Sequence, residues 1–138
     1  MVEYRDAKGD IRPGLLDQEA KKKAESFIKK RNGRIDEKNS LSSHQLRRFY
    51  NDFKRIERRV TKNPERFSSV LHLIAMQKSK AEYASNPKRR KIPNEFKDFI
   101  EENVDTILKT RKREDFEAFM LYFEAVVGFC YGMGLKNN

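Results

Sequence analysis

Between Gln45 and Lys62 the chain carries seven basic residues, Arg47, Arg48, Lys54, Arg55, Arg58, Arg59 and Lys62, and two acidic ones. On a helix, at about 100° per residue, Arg47, Lys54 and Arg58 fall within about 40° of one another. Asn51 shares their row, which points away from Phe49, Phe53 and Ile56. Arg48, Arg55 and Arg59 form a second row beside it. Lys54 and Arg58 stand one turn apart, about 6 Å along the axis, a spacing at which one rod touches successive phosphates. Ordinary solvated helices interleave Glu with Lys, and this face is expected not to. The chemistry is polyanion binding rather than bond breaking. Lys78 and Lys80 begin a second cluster, followed by Lys88-Arg89-Arg90-Lys91. That run reads either as a localisation-type basic patch or as a solvated turn.

Residues for catalysis are wanting. His44 and His72 lie on different helical segments, and neither has an H-x-E or H-E-x-x-H context. Each reads as structural. Glu101, Glu102 and Asp105 read as a solvated face, and Asp115 with Glu117 as the acidic start of a helix. The chain has no glycine-rich phosphate loop and no nucleophile elbow. Cys130, the single cysteine, sits in an apolar stretch and reads as a small core residue; alone it allows neither an intrachain disulfide nor a thiolate cage. No catalytic residue, metal or cofactor is expected.

The elements that must position the basic rows follow from periodicity. Residues 1–14, with Gly9, Pro13 and Gly14 among charges, are expected to be a mobile arm. A single domain of residues 15–138 follows. Leu16, Ala20, Ala24, Phe27 and Ile28 predict a first helix to about Arg31, stopped by Asn32-Gly33, with Glu19→Lys23 and Glu25→Lys29 as supporting pairs. Arg34 to Ser40 reads as a loop. Ser42 and Gln45 form a capping box for a second helix, with Leu41 and Leu46 as its hydrophobic staple and Leu46, Phe49, Phe53, Ile56 and Val60 as its apolar stripe. Asn63 and Pro64 open a third helix running to about Ser85, apolar nearly all round its first half and therefore expected at the centre. Pro93 or Asn94 opens a fourth, and residues 114–132 form a fifth. The apolar excess of the last helix fits a buried core element or a protein–protein contact. No strand alternation is visible. The fold class is all-α, a compact bundle of about five helices.

At 138 residues the chain holds one domain, and ten Phe residues supply a core despite 37% hydrophobic content. Its net charge of +10 favours a polyanionic partner over the alternative of a solvated surface of the heat-stable kind. The first residues carry no apolar stretch of signal-peptide type, and no run is long enough to span a membrane. A cytoplasmic location is expected.

Ser43-His44-Gln45-Leu46-Arg47-Arg48-Phe49-Tyr50-Asn51-Asp52-Phe53 resembles the S-x-Q-L-R-K-F-Y-N signature of the small subunit of type III-A CRISPR effector (Csm) complexes. Gln77-Lys78-Ser79-Lys80-Ala81-Glu82-Tyr83-Ala84 is similar to that family's L-K-P-K-L-A-Y-A segment, with Ser79 in place of proline and Glu82 in place of a small residue. Phe116–Gly132 resembles its aromatic ending, and the likeness covers about residues 41–132. The resemblance implies a helical, non-catalytic subunit. Copies stack along the complex and line the guide RNA–target RNA duplex. By position, Arg47, Arg48, Lys54, Arg55 and Arg58 would meet backbone phosphates, joined by Lys78 and Lys80. Partners would be guide RNA, target RNA, other Csm-complex subunits and further copies of this chain, with a homodimer of the isolated chain left open. Cleavage would belong to neighbouring subunits.

Two other readings stay open. One is a DNA-binding regulator of helix-turn-helix type, which needs a short recognition helix after a tight turn, presenting Arg, Asn or Gln to base edges. A long helix with an almost purely cationic row suits phosphate contact better. The other is an assembly protein whose charge is incidental.

Overall fold

The computed structural model describes residues 1–136. Nine of the ten phenylalanines are buried, and eight of these stand on four different α-helices, which explains why those helices converge. The five α-helices among the described residues are α1 (Gln18–Phe27), α2 (Ser43–Lys62), α3 (Leu71–Ala84), α4 (Asn94–Thr110) and α5 (Arg113–Gly132). Phe27 of α1 meets Phe96 and Phe99 of α4 edge-on, at 5.2 and 5.5 Å between ring centroids. Phe49 of α2 meets Phe96 at 5.5 Å, and Phe53 meets Phe119 and Phe123 of α5 at 5.0 and 5.9 Å. Phe99 closes the seam on Phe123 at 5.6 Å. Edge-to-face pairs of this kind add about 0.5–1.5 kcal/mol each beyond the area they bury.

Helix α2 starts where its sequence predicts, with one half of the expected capping box: the Gln45 side chain makes no return bond to Ser42. Ser42 accepts a hydrogen bond from the Gln45 backbone N–H at 3.2 Å, and the staple residues Leu41 and Leu46 are fully buried. Helix α5 is mostly a core element, with Phe116, Ala118, Phe119, Met120, Tyr122, Phe123, Val126 and Cys130 all buried. Of its apolar excess Tyr122 and Val126 belong to the core, Ala125 and Phe129 are half-buried, and Leu121 is exposed. Burial pushes the Cys130 thiol up to about 12, which keeps it protonated and unreactive at neutral pH.

Four expectations need correction. Helix α1 ends at Phe27, not near Arg31, because Asn32 and Gly33 take positive φ (55° and 77°) as the two-residue turn of a short hairpin. Its strands, β1 (Lys30–Arg31) and β2 (Arg34–Ile35), pair antiparallel, where a helix end and a loop were expected. The expected Glu25→Lys29 pair is replaced by Lys29–Glu95 at 2.9 Å, and Glu19 pairs with Arg12 through two bonds of 2.7 and 3.1 Å. Second, Asn63 makes no side-chain cap. Residues Pro64–Val70 form 3-10 turns, broken at Arg66 (φ −108°, ψ 36°), and α3 proper begins only at Leu71. The Ser69 hydroxyl donates to the Arg66 carbonyl there, the kind of local bond that competes with α-helix.

Third, α3 is not central. It packs mainly on α4, and Met76 and His72 are exposed. Fourth, residues 1–14, expected to form an arm, lie against the bundle. Tyr4 is buried and donates to the Asn103 side-chain oxygen at 2.7 Å, the Val2 N–H donates to the Thr106 hydroxyl at 2.9 Å, and Arg5 and Ile11 form an antiparallel bridge. A lone aromatic between charges gave no periodic signal for this docking.

Candidate nucleic-acid interface

Helix α2 is held by one face, through Leu46, Phe49, Phe53, Ile56 and Val60, and this alone dictates where its cations go. The Arg47, Lys54, Arg58 row lies opposite that face. Arg47 and Arg58 are exposed, and Lys54 is half-buried with its ammonium 6.0 Å from the Tyr50 ring centroid. The second row, Arg48, Arg55 and Arg59, is exposed on the side of α2 that turns toward α3.

The face is less purely cationic than expected. Lys54 pairs with Glu57 at 2.7 Å, and Arg55 pairs with Asp52, both at i,i+3 spacing. Asp52 also takes Lys80 of α3 at 3.3 Å. This carboxylate is the hinge of the site: its side chain is only 11% exposed, and it ties a cation from each of two helices to one point. Exposed pairs of this kind are worth at most about 1 kcal/mol each, so they order the side chains without committing them. The hydrogen bond that Lys54 donates to Glu57 raises its ammonium pKa above the usual range, and the one that Lys78 donates to Asp105 does the same there. Both stay charged at any physiological pH. Arg48 and Arg58 make no ion pair or hydrogen bond among the described residues.

Arg48, Arg55 and Lys80 are therefore brought together around Asp52. Lys78 is not. It lies on the opposite side of α3 and pairs with Asp105 of α4 at 2.6 Å. Arg47, Lys54 and Arg58 keep to the outer edge of α2.

Between α2 and α3 runs a shallow groove of about 60 Å³, lined by Arg48, Asp52, Lys80, Tyr83 and Lys91 among others. A neighbouring groove of about 160 Å³ at the start of α4 holds Lys29, Lys38, Arg90 and again Lys91. The basic run 88–91 is exposed throughout and follows a turn closed by the Arg89 N–H donating to the Asn86 carbonyl at 3.0 Å, as a solvated turn would be, and its last residue, Lys91, lines both grooves. Two groove residues lie outside the set that the sequence singled out for phosphate contact. Tyr83 sits one turn after Lys80 on α3, and Lys91 was indistinguishable from its three basic neighbours until the chain's return to Ala84 placed it: its N–H donates to the Ala84 carbonyl at 2.7 Å.

The histidines are exposed on α2 and α3, and the acidic residues Glu101, Glu102 and Asp105 line one side of α4. Among the described residues no cluster of His, Cys, Asp and Glu could hold a metal ion, and no helix is long and apolar enough to cross a membrane.

The family model for Csm2 Type III-A matches residues 15–132, which includes α1 to α5 and both basic rows. No curated protein and no solved structure matches the chain.

Proposed function

The chain belongs to the Csm2 type III-A family, the small subunit of type III-A CRISPR Csm complexes, and we propose that it serves there as a non-catalytic clamp on RNA backbone. In this reading the outward face of α2 holds phosphates of the guide RNA–target RNA duplex. One observation carries it: Arg47, Lys54 and Arg58 form a row on the solvent side of a helix whose other side is locked by Phe49, Phe53 and Ile56. A rigid rod with cations at one-turn spacing matches a phosphate ladder and has no need of base edges. Arg48, Arg55 and Lys80 extend the same chemistry toward α3, while Lys78 joins only at the margin. Guide RNA, target RNA, the other Csm subunits and stacked copies of this chain are its partners, acting in the cytoplasm. Modest affinity per copy is multiplied when copies stack along one duplex.

A helix-turn-helix regulator fits the molecule less well. The tightest link between α-helices is Arg111-Lys112, with Arg111 in the left-handed region (φ 56°), and it leads into α5. That helix is mostly buried and shows Glu114, Glu117 and Glu124 to solvent, the wrong charge for a recognition helix.

Binding to random-sequence duplex RNA and duplex DNA of equal length, measured across a salt series, tests the reading. Salt-sensitive binding that favours the RNA duplex, without sequence preference, is expected. Binding to one DNA sequence over others would establish the regulator, and no binding to either, free or in the complex, would leave a pure assembly protein.

A further inference from the structure

The five tyrosines divide sharply by what they do for the fold. Tyr4 and Tyr122 are buried, Tyr50 packs edge-on against Phe123 at 5.2 Å, and the Tyr131 hydroxyl bonds that of Ser43 at 3.0 Å. Tyr83 does none of this. It is 72% exposed, and its side chain makes no ring contact or hydrogen bond among the described residues. An exposed aromatic alone means little. This one stands on the rim of the α2–α3 groove with Arg48, Lys80 and Lys91, and the same groove is lined by Gln45, a largely buried amide on the first turn of α2.

An open aromatic face, several cations within one groove and an amide beside them are the parts of a single-stranded nucleotide site. Every base has a π-face to stack, the phosphates on either side need cations, and an amide can pair with a base edge. A phosphate-tracking duplex surface needs only the cations. We propose that Tyr83 is a stacking platform for one unpaired nucleobase, with the flanking phosphates held by Arg48, Lys80 and Lys91. The groove, at about 60 Å³, is too shallow to enclose a base, so the base lies over the Tyr83 ring and the backbone follows the groove. The site rests on the proposed nucleic-acid reading but differs from it in what Tyr83 takes, an unpaired base. Arg48 and Lys80, the latter paired with Asp52 in the same groove, serve phosphates of either substrate, and the outer row of α2 serves the duplex.

The test uses the full chain with a fluorescent single-stranded oligoadenylate and, in parallel, a blunt RNA duplex of equal length. Tyr83→Ala is expected to weaken single-strand binding by about 5- to 150-fold, the loss that removing one base–aromatic stack produces, and to leave duplex binding unchanged. Tyr83→Phe keeps the ring and should bind as the parent does. Because the chain has no tryptophan, Tyr83→Trp introduces a single indole whose emission oligoadenylate should quench. Tyr83→Ala binding the single strand as well as the parent overturns the proposal. So does Tyr83→Phe failing to restore it, since the hydroxyl and not the ring would then matter. Duplex binding without any single-strand binding overturns this site and leaves the proposed function standing; binding of neither overturns both. Loss of co-purification with the other complex subunits, at unchanged single-strand affinity, would show a protein contact instead.

Discussion

Helix α2 carries two faces of opposite character along the same stretch, Ser43–Lys62. The inner face is a set of shapes: Phe49 fits edge-on against a ring from α4 and Phe53 against two rings from α5, and neither can change without leaving a void. The outer face is a set of charges, several of them loosely tied to Glu57 and Asp52, and its geometry is inherited wholly from the inner one. Packing is specific and intolerant; phosphate contact is additive and tolerant. The two faces should therefore fail in different ways, one through unfolding and the other through affinity and salt dependence.

The largest effect belongs to the inner face. Phe53→Ala should cost about 3–5 kcal/mol in chemical denaturation and harm RNA binding only in proportion to the unfolded fraction. A fully folded Phe53→Ala chain with lost binding would break the separation of the faces.

Next is the docked N-terminal segment, an extension of the packed side. Tyr4→Phe leaves the buried Asn103 oxygen without its donor and should cost about 1–3 kcal/mol. Burial holds the Tyr4 hydroxyl above its ordinary value of 10.0. A phenol whose folded value is raised contributes stability that is present below the unfolded value and is lost above it, as the unfolded chain ionises. Alkaline melting curves should show stability falling above pH ~10, less steeply in Tyr4→Phe. Equal slopes in the two proteins would assign the alkaline loss to other groups.

Asp52→Asn sharpens the boundary between the faces, because this carboxylate is nearly buried yet serves Arg55 and Lys80. Stability should fall by about 1 kcal/mol or less, while binding to duplex RNA of any sequence tightens as two cations lose their internal anion. Weaker binding instead would mean that Asp52 orients those cations for their target.

How much of this was legible in the sequence follows the same division. The cap at Ser42, the stripe from Leu46 to Val60, the start of α4 after Pro93 and the extent of α5 were readable because one side-chain cap, local periodicity and proline decide them. The hairpin at Asn32-Gly33 carried its usual signal, but strands of two residues show no alternation to support it. The docking of Tyr4 onto Asn103, 99 positions away, and the meeting of Arg55 with Lys80 on Asp52 depend on tertiary placement that no local pattern encodes. Of the basic residues chosen from the sequence, those on α2 were placed by its helical period alone; on α3, Lys78 and Lys80 part company because two positions on a helix point about 200° apart.

The smallest expected change in stability per site goes with the most direct test. Arg47, Lys54 and Arg58 should be changed to Ala together, and target RNA binding by the assembled complex measured over a salt series. Stability should move by about 0.5 kcal/mol or less per site. Affinity should fall alike for all sequences, and the slope of log K against log salt should flatten by about 0.7 to 0.9 per lost contact. A triple variant that binds with unchanged affinity and unchanged slope would contradict the assignment of this face to RNA.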